Sequence, residues 1–184
     1  MRIVQLAARR PDLILSFARD TLVVVENHVI DAVSAHAQTG RDAAEAGGIL
    51  IGSYRGRHID ICECTVPMPA DRRLRYMFDR LDTGHDRAAK EAWRKSQRTE
   101  TYVGEWHTHP EDYPSPSGLD LRTWSNVMRH HREGPVLFLI VGRRGYWAGL
   151  GCRGTVLPTQ YADAEKAEIH IACQTPSGTA PFVS

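Results

Sequence analysis

Residues 104–120 read GEWHTHPEDYPSPSGLD, and the fold turns on how this stretch divides. On a strand, side chains two apart project to the same side, so His107 and His109 aim two imidazoles at one point. Pro110 has no N–H for a ladder and ends the strand. Pro114 and Pro116 stiffen the loop that follows. Ser117 and Asp120 are spaced for one helical turn and face one direction. Ser-x-x-Asp ahead of an apolar run is also a capping box, with the carboxylate favoured in the first turn by the helix dipole. The two readings coexist, because a capped helix can present a ligand from its first turn. Two neutral imidazoles and one carboxylate suit zinc and leave a fourth position for water. His-x-His alone is common; its weight here comes from the carboxylate one short bridge away.

Outward from this stretch, TLVVVE (21–26) has the pattern of a strand. From Asn27 the residues Val29, Ile30, Val33 and Ala37 recur at helical spacing up to Gly40. GGILIGSYRGRHIDICECTVP predicts two strands joined by a hairpin at Tyr54–Arg57. Its Gly47-Gly48 pair marks a place where backbone or ligand comes close. Residues 67–80 (PMPADRRLRYMFDR) look like a basic loop. His85 to Arg98 is a predicted helix with Ala88, Ala89, Ala92 and Trp93 on one side. TYVGEWHTH is a strand, with Trp106 on the face opposite His107. Asp120 to about His131 is helical, with Leu121, Trp124, Val127 and Met128 facing inward. PVLFLIVGRRGYWAGLGC is a strand, an Arg-Arg-Gly turn and a second strand. Its first half is apolar on both faces and therefore central. YADAEKAEIHIA is a last short helix or strand, and TPSGTAPFVS is a loose tail. Hairpins outnumber βαβ units, so the class is α+β. The boundaries read as an N-terminal extension over 1–20, a domain over 21–172 and a flexible tail over 173–184.

With 184 residues, 42% hydrophobic and 24% charged, the chain reads as one globular domain. A net charge of +1 gives no electrostatic reason for a nucleic-acid or anionic-membrane partner. The start, MRIVQLAARRPD, lacks a secretory h-region, and no run is long enough to span a bilayer, so the expected location is the cytoplasm. Cys62, Cys64, Cys152 and Cys173 form no Cys-x-x-Cys pair and are expected to be buried, reduced thiols.

A hydrolytic zinc site also needs a general base. Glu45, just before the Gly-Gly strand, is the candidate; Asp42 is shorter and further away. Glu45 followed by GGILIG, then His107-Thr108-His109-Pro110, seven residues Pro110 to Pro116, Ser117 and Asp120, resembles the JAMM motif of the JAB/MPN metalloproteases. The resemblance covers about residues 20–150. It implies a single JAB/MPN-like domain: a mixed sheet flanked by helices, similar to cytidine deaminases. It implies that His107, His109 and Asp120 bind Zn2+, that Glu45 holds the catalytic water and shuttles its proton, and that Ser117 donates a hydrogen bond to the oxyanion. YVGEWHTHPEDYPSPSGLDLRTW, with FDR at 78–80, further resembles a bacterial branch found in operons with E1-like and E2-like enzymes, including CBASS antiphage operons.

That branch implies an isopeptidase acting on conjugated, lysine-bearing proteins. It would cut after the C-terminal residue of a ubiquitin-like modifier or of a cGAS-like nucleotidyltransferase. Three alternatives stay open: a processing peptidase or deconjugase for a small ubiquitin-like protein outside CBASS, a non-catalytic MPN interaction module, and a nucleic-acid-associated JAB protein, which the balanced charge disfavours. The family often binds its substrate tail as an added strand. A groove of that kind is expected between the Gly47–Gly52 strand and the 67–80 loop. Arg72, Arg73, Arg75 and Arg80 are candidates to grip the tail, or form a solvated loop. The segment 175–184 is a further candidate to visit the groove.

Overall fold

Val136–Val141 is apolar at every position, and each of its 6 residues is buried. The computed structural model describes residues 12–17, 20–152, 154–158 and 162–163. In chain order these form β1 (Leu13–Phe17), β2 (Thr21–Val25), α1 (Asn27–Ser34), β3 (Gly47–Arg55), β4 (His58–Cys64), β5 (Arg72–Leu74), β6 (Met77–Asp79), α2 (Gly84–Lys95), β7 (Thr101–Thr108), α3 (Gly118–His130), β8 (Val136–Val141), β9 (Gly145–Cys152), β10 (Thr155–Pro158) and β11 (Ala162–Asp163).

A 9-stranded sheet runs β1-β2-β4-β3-β7-β8-β9-β10, with β11 also on β9; β5 and β6 form a separate hairpin. The pairs β2–β4 and β7–β8 are parallel, and the others are antiparallel. Helices cover both faces, which is why the central strands need apolar residues on both. On one face Val29 and Val33 of α1 meet Leu50, Trp106, Leu137 and Leu139. On the other, Ala92 of α2 meets Ile49 and Ile51, and Trp124 of α3 meets Phe138, Ile140 and Trp147. This is the α+β architecture expected.

Leu50 pairs with Gly104 but Ile51 pairs with Tyr102, so Val103 is the extra residue of a bulge. The strand then carries Trp106 into the α1 face and His107 to the other, beside Trp124.

The Gly-Gly pair marks two close approaches. A Cβ on Gly47 would lie 2.5 Å from the Phe78 ring, and one on Gly48 would lie 2.1 Å from the Thr65 carbonyl oxygen. The Thr65 strand end cannot retreat, because Thr65 N–H donates to the Ile49 carbonyl at 3.0 Å and Ile49 N–H to Thr65 Oγ1 at 2.9 Å. Gly48→Ala is expected to cost roughly 1–3 kcal/mol or more through overpacking against backbone. A lower urea midpoint at unchanged m-value checks this; an unshifted midpoint refutes it.

Several elements differ from the sequence pattern. Leu13–Phe17, inside the stretch read as an extension, alternates buried and exposed residues and pairs along its length with β2. α1 stops at Ser34 rather than near Gly40, because residues 36–39 peel away and the Gln38 amide turns inward. α2 ends at Lys95, followed by Gln97 and Arg98 at φ 56 and 72, a left-handed exit that no glycine announces. Residues 72–79 are a hairpin, not a loop. Leu121 is 48% exposed, so the inward stripe of α3 rests on Trp124, Val127 and Met128.

Cys62 and Cys64 are half-buried and Cys152 is exposed, against the expectation of buried thiols. Burial first, then neighbouring carboxylates, push Cys62 up to about 12 and Cys64 up to about 11. Both are therefore poor nucleophiles. Among the described residues no helix is long and apolar enough to cross a membrane. Cys173 and the segment 173–184 lie outside the described residues, as does all of YADAEKAEIHIA except β11.

Candidate metal centre

Strand pairing sets the first two side chains. β3 begins with Gly47 opposite His107, so residues 45 and 46 arrive beside the end of β7. His109 follows one residue past β7, with its N–H on the Val141 carbonyl at 3.0 Å. The chain then reverses through residues 110–116, strapped by the β8–β9 turn. Arg143 N–H donates to the Glu111 carbonyl at 2.7 Å and Arg144 N–H to the Asp112 carbonyl at 2.9 Å. Gly142 permits the approach, since a Cβ there would lie 2.7 Å from the Asp112 carbonyl oxygen. The strap returns the start of α3 to the histidines. Ser117 Oγ accepts from Asp120 N–H at 3.2 Å, and Asp120 Oδ2 accepts from Ser117 N–H at 2.6 Å. The capping box thus forms and leaves the Asp120 carboxylate against the imidazoles.

His107 Nε2 and His109 Nε2 are 3.1 Å apart; Asp120 lies 3.3 Å from the first through Oδ1 and 3.5 Å from the second through Oδ2. A tetrahedral ion bound at about 2.0–2.1 Å separates its donors by about 3.3–3.4 Å. The cluster is close to the spacing one metal requires, with Asp120 turning a different oxygen to each ring. Glu45, His107 and His109 also lie mutually within 4.8 Å. Glu45 Oε1 is 4.0 Å from His107 Nε2, further than either Asp120 contact.

Burial, only partly offset by the two histidines, pushes the Glu45 carboxyl up to about 7. Burial also works against ionisation of Asp120, but hydrogen bonds from His107, His109 and Ser117 outweigh it and hold its carboxyl far below the usual range. For His109, burial opposes the charged ring, and Asp120, Glu45 and Glu111 outweigh it, so its pKa is raised. The centre is poised as an anionic carboxylate facing a ring inclined to hold a proton, a charge pattern that a cation would replace.

Trp124 backs His107 at 6.1 Å between ring centroids and is itself stacked on Phe138 and Trp147. Glu111, not singled out by the sequence reading, sits 3.9 Å from His109 Nδ1 and accepts from Ser115 N–H at 3.0 Å. Its place right after the His-x-His-Pro run was the available signal, since ligating histidines commonly meet a carboxylate at the second ring nitrogen.

The centre opens into a cleft of ≈ 720 Å³ walled by Tyr76, Met77, Phe78 and Leu81 opposite Leu119 and Thr123. The hairpin that supplies one wall is pinned at its base. His85 Nδ1 meets Thr65 Oγ1 at 2.6 Å and Nε2 meets Asp71 Oδ2 at 3.0 Å, both side chains being buried.

The four arginines divide. Arg72 pairs with Asp79 across the hairpin. Arg73 Nε donates to the Glu45 carbonyl at 2.8 Å. Arg80 is tied to Glu105 at 2.8 Å and half-buried. Arg75 lies over the Tyr76 ring and lines the cleft. Arg72, Arg73 and Arg80 thus each have a partner within the protein, and Arg80 lines the cleft beside Arg75. The expected groove is also displaced: over Leu50–Gly52 β3 is paired on both sides, by β4 and β7, and offers no edge there. Among the described residues β6 pairs with β5 alone, and its other edge borders the cleft.

His107, His109 and Asp120, with the buried Glu45 carboxylate beside them, lie at the end of an open cleft, an arrangement able to hold a metal ion. Residues 26–149 match the prokaryotic homologs of the JAB domain, and the chain belongs to this family. A Pseudomonas aeruginosa protein named CD-NTase/cGAS isopeptidase is 41% identical over 131 residues, 71% of this chain and 83% of that one. A Vibrio cholerae protein of the same name is 37% identical over 139 residues, 75% of this chain and 87% of that one. The solution structure of a protein from Desulfitobacterium hafniense superposes with a TM-score of 0.55 at 18% identity, over 80% of this chain and 99% of that one, a likeness of fold.

Proposed function

We propose that the protein is a zinc-dependent isopeptidase that releases a CD-NTase, a cGAS-like nucleotidyltransferase, from the lysine side chains of proteins to which it has been conjugated. The observation that carries this reading is the set of three donors at 3.1, 3.3 and 3.5 Å with the Glu45 carboxylate 4.0 Å from one of them. The names of the Pseudomonas and Vibrio relatives supply the substrate class.

His107, His109 and Asp120 would hold the zinc. Bound there, it supplies Lewis acidity and brings the pKa of water towards ~7. Glu45 takes the proton of the attacking water and returns it to the departing lysine amine. Its carboxylate, 4.0 Å from His107 Nε2, stands where it can serve both transfers. The Ser117 hydroxyl, already fixed by Asp120 N–H, donates to the oxyanion of the tetrahedral intermediate; loss of such a donor typically costs ~10²–10³ in rate. The extended C-terminal tail of the CD-NTase lies along the open edge of β6, where backbone bonds give affinity and Tyr76, Leu81 and Leu119 select side chains.

The test uses a bacterial CD-NTase joined through its C-terminal residue to a fluorescent protein. Cleavage directly after that residue, abolished by a chelator and restored by zinc, is the expected result. An intact fusion after incubation with the fully metal-loaded protein refutes the reading.

A further inference from the structure

Glu45 belongs to no helix or strand, yet the backbone around it is held by several hydrogen bonds. Its N–H donates to the Leu74 carbonyl of β5 at 2.8 Å, and its carbonyl accepts from Arg73 Nε at 2.8 Å. Arg73 Nη2 reaches the Ala44 carbonyl at 3.2 Å. On the other side, Ala46 N–H donates to Thr108 Oγ1 at 3.0 Å and Thr108 N–H donates to the Ala46 carbonyl at 2.8 Å. Thr108 is the residue between the two histidines.

Gln38 closes this frame. Its two amide protons go to the Ala43 carbonyl and the Arg75 carbonyl, each at 2.8 Å. Its Oε1 accepts from Thr108 Oγ1 at 3.0 Å. The side chain is 1% exposed and Thr108 0%. Both amide donors are used, and the Thr108 hydroxyl gives its proton to Gln38 while accepting from Ala46. One buried amide thus touches the loop that carries Glu45, the turn of the hairpin that walls the cleft, and the residue between the two histidines. A methionine would fill the same volume with no polar group to satisfy. What the amide adds is a fixed geometry, since a fully satisfied buried network rigidifies its members.

We infer that Gln38 and Arg73 are positioning residues: through Thr108 and the β5–β6 hairpin they fix where the Glu45 carboxylate stands relative to His107 and His109. The inference rests on the proposed role of Glu45 as proton shuttle. It assigns Arg73 to the general base rather than to substrate. It also means that a tail seated on β6 and the Glu45 backbone share one mechanical element, the hairpin. Rates are steep in such distances; a displacement near 1 Å can cost about 10²-fold.

The test is Gln38→Met, read on the CD-NTase–fluorescent-protein fusion and by amide hydrogen exchange. The expected result is a kcat lowered tenfold or more, KM within twofold, unchanged zinc content, and faster exchange at the Glu45 and Ala46 amides. Thr108→Val should reproduce it, Thr108→Ser should keep wild-type kcat, and Gln38→Met/Thr108→Val should be no worse than either single change, because the two groups act as one unit. Should Gln38→Met not fold, the Thr108→Val and Thr108→Ser pair and Arg73→Lys, which keeps charge but loses the fork, decide the matter. A kcat within twofold of wild type in the folded, zinc-loaded variants overturns the inference, as does a loss of kcat that tracks loss of zinc. Glu45→Gln is run alongside. If it too leaves kcat intact, the catalytic reading of Glu45 falls, whereas the exchange rates at 45 and 46 report on the frame with no substrate present.

Discussion

Replacing both His107 and His109 by alanine is expected to strip the protein of metal and abolish cleavage. The pair supplies two of the three donors within tetrahedral reach, and Asp120 and Glu45 alone offer only two separated carboxylates. Losing two imidazole ligands removes most of the affinity of a three-ligand site. The side chains also hold Asp120 in its ionised form, so their removal lets its carboxyl rise. Elemental analysis of the wild type and the double variant, purified side by side without chelator, reads the result directly. Near-stoichiometric zinc in the first and background in the second is expected. Equal, negligible metal in both would leave a capped helix with no metal chemistry, and the hydrolytic reading would go with it.

Glu45→Gln is expected to keep the metal and lose the rate. Gln preserves shape but carries no proton between water and amine, a role worth about 10²–10⁴-fold. The same substitution has a second, opposite effect on stability. In the metal-free protein, burial raises the Glu45 carboxyl from 4.5 to about 7. Between those values the native state holds a proton that the unfolded chain has released, so stability falls as pH rises through the window. The loss is complete above about 7 and absent below about 4.5. Gln carries no such penalty. At pH ~8 the metal-free variant should melt ~3–8 °C above the metal-free wild type, and at pH ~4 the two should match. A variant that melts at or below wild type at the higher pH would mean that the buried carboxylate is not strained. A variant that cleaves at the wild-type rate would remove Glu45 from the chemistry.

Much of the centre was legible because it is local. His107 and His109 are two apart on one strand, and Ser117 and Asp120 are three apart across a helix start. Each relation follows from the period of its own element. The apolar run 136–141 likewise announced a strand covered on both faces. Glu45 was different. Nothing in its neighbours separates it from a solvated junction glutamate; the resemblance to the JAB family singled it out, and the pairing of Gly47 with His107 explains its position.

The residues that were misread are those whose partners lie far along the chain. The arginines of 72–80 looked like a free basic loop, because the Glu45 carbonyl, Asp79 and Glu105 that engage three of them cannot be seen from composition. Leu121 matched the helical period but is exposed, outside the stripe of Trp124, Val127 and Met128 that meets the sheet. α1 carried apolar spacing beyond Ser34, yet a buried amide at Gln38 with three partners competed successfully with another helical turn.

By itself, then, the sequence determined most of the element types and the capped turn that carries Asp120, since these depend on spacings of two to four residues and on backbone rules that hold in any fold. Only the tertiary structure decided which edge is open, what the hairpin arginines hold, and how a glutamate 62 residues before His107 in numbering comes to stand 4.0 Å from it. Those outcomes come from strand pairing and burial between distant segments, where the energy of one satisfied buried contact outweighs local preference.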